Sequence, residues 1–253
     1  MSGHSHWATI KRAKGASDAK RGQLFTKLAR EITVAARQGG NSPDMNVRLR
    51  LAVQKGRENN MPLDNIERAI KRGAGGADGG QDSLDETTYE GYGPGGVAIM
   101  LHALTDNRNR ITPEIRSTFS KGGGSLGEMG CVSWNFEQRG VITSETANES
   151  GEEVALASID AGAEDFQLDG TYLEIYASPE HFDQLRVVIE HLGAKVLSAE
   201  ISMVPKSTVL LDTKSAQQTL KLLDQLEDLD DVQKVYTNAD FPTEALDQYR
   251  NDS

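Results

Sequence analysis

The chain has 253 residues, with 27 Lys and Arg against 38 Asp and Glu, a formal charge of −11 and one cysteine, Cys131. Its length suits one large domain or two to three small ones, and 37% hydrophobic residues favours several small cores. A single cysteine excludes an internal disulfide framework and argues against a thiolate zinc site, no run approaches the ~20 apolar residues that span a bilayer, and the basic N-terminus lacks the apolar run of a secretory signal, so a cytoplasmic protein is expected.

The net charge by itself argues against a polyanionic partner, but its distribution reverses that reading. Residues 1–75 hold 15 Lys and Arg against 6 Asp and Glu, while the acidic excess lies in the remainder. Such asymmetry points to a polyanion-binding segment at the N-terminal end.

The first 75 residues read as a basic tail and three helices. Ser17 is the expected N-cap of a helix over Asp18–Gln38, closed by Gly39-Gly40. Leu24, Phe25, Leu28, Ile32, Ala35 and Ala36 fall on one arc of it, and Lys20, Lys27, Arg30 and Arg37 on the opposite arc, facing outward. Asn41-Ser42-Pro43 supplies a cap and first-turn proline for a second helix, in which Arg48/Lys55 and Arg50/Arg57 recur seven residues apart. Met61-Pro62 opens a third with Leu63, Ile66 and Ile70 inward and Arg68, Lys71 and Arg72 outward. Five glycines in Gly73–Gly80 then mark a joint.

Beyond residue 80 strands and helices alternate. Strands are expected at Val97–Thr105, Cys131–Glu137 (Val132, Trp134 and Phe136 on one face), Gly140–Ser144, Asp165–Leu168, Thr171–Ala177, Ala194–Val204, Thr208–Asp212 and Val232–Asn238. Helices are expected from Thr112-Pro113, over Glu152–Ala163, over Pro179–Leu192 and over Ser215–Leu226, and Asp169-Gly170 is a hairpin turn. Residues 140–205 read βαββαβ, and the flanking strands and helices repeat that order. The expected class is α+β in three domains: a helical domain with its linker over 1–80, a discontinuous α+β domain over 81–139 and 206–253, and a ferredoxin-like α+β domain inserted over 140–205.

The basic cluster carries the chemistry. Lys11, Arg12, Lys14, Lys20, Arg21, Lys27, Arg30, Arg37, Arg48, Arg50, Lys55, Arg57, Arg68, Lys71 and Arg72 supply the cations that neutralise phosphates and release counterions. An ordinary solvated face would mix signs more evenly. Trp7 stands among His4, His6, Lys11 and Arg12, where it either stacks on an unpaired base or packs on the helices. Two histidines without a third ligand make a weak metal site. Arg108, Arg110, Arg116 and Lys121 form a second positive island around the glycine-rich loop Lys121–Gly130, which core stability does not require.

Other signals carry less. Gly91-Tyr-Gly-Pro-Gly-Gly96 matches a dinucleotide fingerprint in letters only, because it precedes a strand instead of joining a strand to a helix, and reads as a turn. No Gly-Lys pair exists for a phosphate-binding loop. Thr171–Ala177 sets Tyr172, Glu174 and Tyr176 on one face, but 13 Asp and Glu against 2 Lys and Arg over residues 140–205 favour an interaction surface over base stacking. His102, His181, His191 and Cys131 lack the neighbours of a nucleophile or an acid–base pair, so no enzyme is expected.

Several strings are specific enough to point to a family. Gly3-His-Ser-His-Trp-Ala-Thr-Ile-Lys-Arg12, Asn59-Asn-Met-Pro-Leu-Asp-Asn-Ile-Glu-Arg-Ala-Ile-Lys-Arg-Gly73, Tyr89-Glu-Gly-Tyr-Gly-Pro-Gly-Gly96, Thr105-Asp-Asn-Arg-Asn-Arg110 and Gly122-Gly-Gly-Ser-Leu-Gly127 closely resemble the YebC/PmpR family over the whole length. The resemblance implies one helical and two α+β domains, no cofactor, and a transcriptional regulator that binds DNA. Related members, including a mitochondrial activator of cytochrome oxidase translation, resemble ribosome-associated factors that help at difficult peptides such as proline runs. DNA and rRNA would use the same basic face. No helix presents Asn, Gln or Arg in the first turn as a major-groove reader does, which favours weak sequence specificity or RNA.

Overall fold

The computed structural model describes residues 18–75, 84–146 and 151–251. The helices α1 (Asp18–Gly39), α2 (Val47–Glu58) and α3 (Leu63–Gly73) come first. There follow β1 (Asp85–Tyr92), β2 (Ala98–Thr105), α4 (Arg108–Lys121), β3 (Ser125–Leu126), β4 (Phe136–Glu145), α5 (Gly151–Asp160), β5 (Asp165–Asp169), β6 (Tyr172–Ala177) and α6 (Phe182–His191). The chain continues through β7 (Lys195–Pro205), β8 (Val209–Leu210), α7 (Thr213–Glu227), β9 (Val232–Thr237), β10 (Ala239–Asp240) and α8 (Thr243–Asn251). The protein is α+β: a helical bundle followed by a region of antiparallel sheets.

The bundle packs by the apolar arcs its periodicity predicts. Leu28, Ile32 and Ala35 of α1 meet Leu49 and Val53 of α2 and Ile66 of α3. At Gly73 the close approach of α3 to α1 demands glycine, because a Cβ there would stand 2.3 Å from the Thr33 carbonyl oxygen. The start of α2 departs from expectation. Asn46 caps it instead of the Asn41-Ser42-Pro43 turn: its side-chain oxygen accepts the Leu49 N–H at 3.0 Å, and its amide donates to the Ala35 and Gly40 carbonyls, both at 2.8 Å. Three bonds from one buried side chain tie the end of α1 to the start of α2, which fixes the boundary. Ser17 and most of the Gly73–Gly80 joint lie outside the described residues.

The outer sheet has the order β3-β1-β2-β9, covered by α4 and α7 through Ile111, Ile115, Phe119, Leu220 and Leu223. Its strand β1 has mostly polar residues, so it shows no strand pattern by itself; pairing with β2 from Asp85↔Thr105 to Tyr92↔Ala98 creates it. Pro94–Gly96 turns between the two, as expected of that glycine run. The helix expected from Thr112 begins at Arg108, because the Asn107 side chain caps it by accepting the Arg110 N–H at 3.1 Å. The strand expected over Thr208–Asp212 shrinks to the two residues of β8, paired in parallel with β10.

The inner sheet has the order β5-β6-β4-β7, all antiparallel, the split βαβ order. Val154, Leu185 and Ile189 of α5 and α6 pack on Ile142, Leu173 and Ile175 of the sheet. The strands expected over Cys131–Glu137 and Gly140–Ser144 resolve into a turn over Ser133–Asn135 and one continuous strand, β4. The reason is Glu90. Its buried carboxylate accepts N–H bonds from Gly130 (2.9 Å), Val132 (2.7 Å) and Ser133 (2.8 Å), which removes those donors from any ladder. The two sheets meet at an apolar joint where Ala98, Met100 and Tyr236 lie against Val132, Phe136 and Met203.

Candidate nucleic-acid interface

The middle of the basic arc of α1 faces the outer sheet unit. Val34 lies on that arc, four residues after Arg30 and three before Arg37, and it is fully buried. Lys27 donates through Nζ to the Glu227 carbonyl, and Arg37 to the Leu84 carbonyl. Arg30 donates to the Asp230 carbonyl at 2.6 Å and to the Asp231 carboxylate at 2.7 Å. The expected outward orientation of Lys27 and Arg30 is therefore corrected: these half-buried cations join the bundle to the outer sheet unit, where Glu227–Asp231 at the end of α7 supplies the acceptors, while Arg37 stays exposed as expected and reaches the Leu84 carbonyl just before β1. Asp231 is buried and also accepts from Thr105 Oγ1 at 2.7 Å and from Arg110 at 2.5 Å.

Three cations of α2 are engaged in the same way. Arg48 donates to Glu31 at 2.8 Å, to Gln38 at 2.6 Å and to Glu86 of β1 at 3.0 Å. Glu86 also lies 2.6 Å from His102 Nε2 and accepts from Gln38 at 3.1 Å. Partial burial acts to raise the Glu86 pKa, but the hydrogen bonds from Arg48, Gln38 and His102 and the charge of Arg48 prevail and hold it at about 2. Arg48 is correspondingly held in its charged form: burial acts against it, and Glu31 and Glu86 outweigh that effect. Arg50 pairs with Asp183 of α6 at 2.9 Å, and Lys55 with Glu200 of β7 at 3.1 Å, so α2 reaches the inner sheet unit, against whose core Leu51 also packs.

What remains open is a smaller patch. Arg57, Arg68, Lys71 and Arg72 are exposed, and no partner for them is found among the described residues. Arg68, Lys71 and Arg72 stand at i, i+3 and i+4 of α3, on the face opposite Ile66 and Ala69. Arg57 follows Arg50 by seven residues on one face of α2. Arg21 is exposed at the start of α1. Trp7, Lys11, Arg12 and Lys14 lie outside the described residues, as does the side chain of Lys20.

The second island is partly closed. Arg110 is bound to Asp231 and, at 3.1 Å, to Asp106; Arg108 approaches Asp85 only at 3.4 Å; Arg116 and Lys121 are exposed without a partner among the described residues. The adjoining loop is packed, contrary to the expectation that stability does not require its glycines. A Cβ at Gly124 would lie 2.5 Å from the Tyr92 carbonyl oxygen, and Leu126 is half-buried in an edge strand against β1. For Glu90, burial acts to raise the pKa and the three backbone N–H donors overcome it, so the carboxylate that clamps the loop stays charged. Two apolar side chains project from this rigid segment, Met129 at 87% exposure and Trp134 at 67%. The common face expected for Val132, Trp134 and Phe136 is thus corrected: Val132 and Phe136 are buried and Trp134 is not. Its indole N–H donates to the Cys131 carbonyl at 2.9 Å, and so does the Tyr92 hydroxyl, also at 2.9 Å. On β6, Glu174 and Tyr176 are buried, so that face is not an open aromatic platform.

The acidic partners Glu86, Asp183, Glu200 and Asp231 escape sequence reasoning because each is remote in the chain from its cation. Among the described residues no group of three His, Cys, Asp or Glu side chains could hold a metal ion, and no helix is long and apolar enough to cross a membrane.

Residues 5–76 match the TACO1/YebC protein N-terminal domain, and residues 84–239 match the TACO1/YebC second and third domain. A probable transcriptional regulatory protein of Dehalococcoides mccartyi is 57% identical over 99% of both chains. Another of that description, from Dictyoglomus thermophilum, is 51% identical over 97% of this chain and 98% of its own. The crystal structure of a conserved hypothetical protein from Aquifex aeolicus superimposes with a TM-score of 0.79 at 48% identity, covering 89% of this chain and 92% of that one.

Proposed function

We propose, from the premise that the chain belongs to the TACO1/YebC family, that it is a cytoplasmic, non-enzymatic regulator of gene expression that binds DNA through the bundle. The observation that carries the reading is the open patch of Arg57, Arg68, Lys71 and Arg72 on a chain of net charge −11. Cations concentrated on one surface, while acidic units lie elsewhere, attract phosphate and orient the molecule toward it. On this reading Trp7, Lys11, Arg12, Lys14, Lys20 and Arg21 add further contacts to the nucleic acid. A joint substitution, R57E/R68E/K71E/R72E, should abolish binding of duplex DNA in fluorescence anisotropy while leaving the circular dichroism spectrum unchanged. Wild-type affinity should fall with salt at a log–log slope of about 0.9 per duplex phosphate contacted. A salt-independent affinity, or full binding by the variant, would refute the reading.

A second reading is an rRNA-binding translation factor that relieves stalling at sequences such as proline runs. It is favoured by the clamped segment that presents Met129 and Trp134, since a rigid apolar tip suits a narrow ribosomal site better than a duplex groove. Deleting Gly123–Gly127 would remove the β3 edge strand as well, so M129A/W134A is the cleaner variant. On this reading it folds and binds RNA but no longer relieves stalling in a reconstituted translation reaction; full relief would discard the tip. Crosslinking in cells, followed by sequencing of bound nucleic acid, separates promoter DNA from large-subunit rRNA.

A further inference from the structure

Arg50 and Arg57 share one face of α2, seven residues apart, yet they differ in state: Arg57 is open, while Arg50 is held by Asp183 of α6. Next along the same helix, Lys55 is held by Glu200, which also takes Lys234 at 3.3 Å. The Arg57 face therefore continues into Arg50, which the inner sheet unit already occupies, while Lys55 stands about 140° around the helix from Arg50. The acceptors there are carboxylates, the same kind of anionic oxygen that a phosphate offers. We propose that the acidic inner unit is an intramolecular competitor for the nucleic-acid site: Asp183 and Glu200 occupy Arg50 and Lys55, and a bound polyphosphate displaces them and lifts α2 from the inner unit.

The strengths of the joints select where release begins. The Arg50–Asp183 and Lys55–Glu200 pairs are solvent-exposed, with side-chain exposures of 43% and 59% in the first and 48% and 29% in the second. Pairs of that kind are weak and screened by salt. A polyanion presenting several phosphates at high local charge outcompetes them and gains two further cations for its own contact. Arg30 instead reaches an Asp231 carboxylate that is 1% exposed and shared with Arg110 and Thr105. That pair keeps α1 on the outer unit while α2 separates. The inference rests on the proposed nucleic-acid-binding reading and adds regulation: affinity is set by how firmly the inner unit holds α2.

The test uses the full chain and a defined duplex DNA or rRNA fragment as probe. The variant D183N/E200Q leaves every cation in place and should bind roughly fivefold more tightly, the summed effect of two exposed pairs. Its control is E152Q/E153Q, the same change in charge on exposed positions of α5, and this should shift affinity by less than about twofold. In a Cys131→Ser background, dyes at Glu58→Cys on α2 and Glu180→Cys before α6 should lose energy transfer when the wild-type protein is saturated with probe. If the probe binds with energy transfer unchanged, or D183N/E200Q gains no more than its control, the competitor is overturned and the binding reading stands. If neither wild type nor D183N/E200Q binds either probe, the binding reading falls together with it.

Discussion

The molecule has two joints of opposite character. Between the two sheets, Phe136, Met100, Val132 and Tyr236 form an apolar contact with little water access. Between the bundle and the sheets, cations meet carboxylates and carbonyls around a smaller apolar contact, in which Leu51 packs on the inner core. Apolar burial is non-directional and has no competitor in solution, so it fixes the sheets relative to each other. Ion pairs at a half-wet boundary contribute little net stability and have an obvious competitor in any polyanion. The apolar joint is thus scaffold, and the ionic joint is the one for which a polyanion can compete.

The largest effect should come from breaking the apolar joint. Phe136→Ala removes a nearly buried ring and should destabilise the protein by about 3–5 kcal/mol, read from the denaturant midpoint. A loss as small as that of a surface substitution would mean that the sheets are not locked there. Next is Arg30→Ala, which leaves the buried Asp231 with only Arg110 and Thr105; a cost of about 1–3 kcal/mol in thermal unfolding is expected. If Arg30→Ala is neutral, α1 is not anchored by this pair.

Acid pH probes the ionic joint through the Glu86 carboxylate. Its pKa is depressed from 4.5 to about 2 by contacts that cross the ionic joint. A depressed carboxylate contributes stability that is fully present above the ordinary value and is lost as pH falls through the lowered one. The NMR titration of Glu86 should accordingly show a midpoint near 2, and Arg48→Gln should move it upward toward 4.5. A wild-type midpoint already near the ordinary value would mean that Arg48 does not hold it. Smallest is Asp183→Asn alone, an exposed member of a single pair, which should change global stability by no more than about 0.5 kcal/mol in the same melts. A much larger loss would make the α2 contact part of the scaffold.

Much of the architecture is written in short-range pattern. The 3.6-residue recurrence of Leu28, Ile32 and Ala35 and of Ile66 and Ala69 places the bundle core, and Asp169-Gly170 marks the β5–β6 turn, because periodicity and turn chemistry act within a few residues. The same pattern places Arg68, Lys71 and Arg72 outward on α3. Where a neighbour decides, local reading fails. Polar β1 becomes a strand only by pairing with β2, and Trp134 turns outward only because Glu90 claims the preceding backbone donors.

The sequence alone shows that residues 1–75 are basic and carry three helices and that the remainder is acidic, because charge and periodicity are local sums over residues. Only the tertiary structure decided which cations stay available. Arg50 meets Asp183 and Lys55 meets Glu200 across 133 and 145 residues, and Arg30 meets Asp231 across 201. No spacing rule reaches across such intervals. Whether a charge is free or paired depends on its distance in space from an opposite charge, and that distance exists only once the bundle has docked on the sheets.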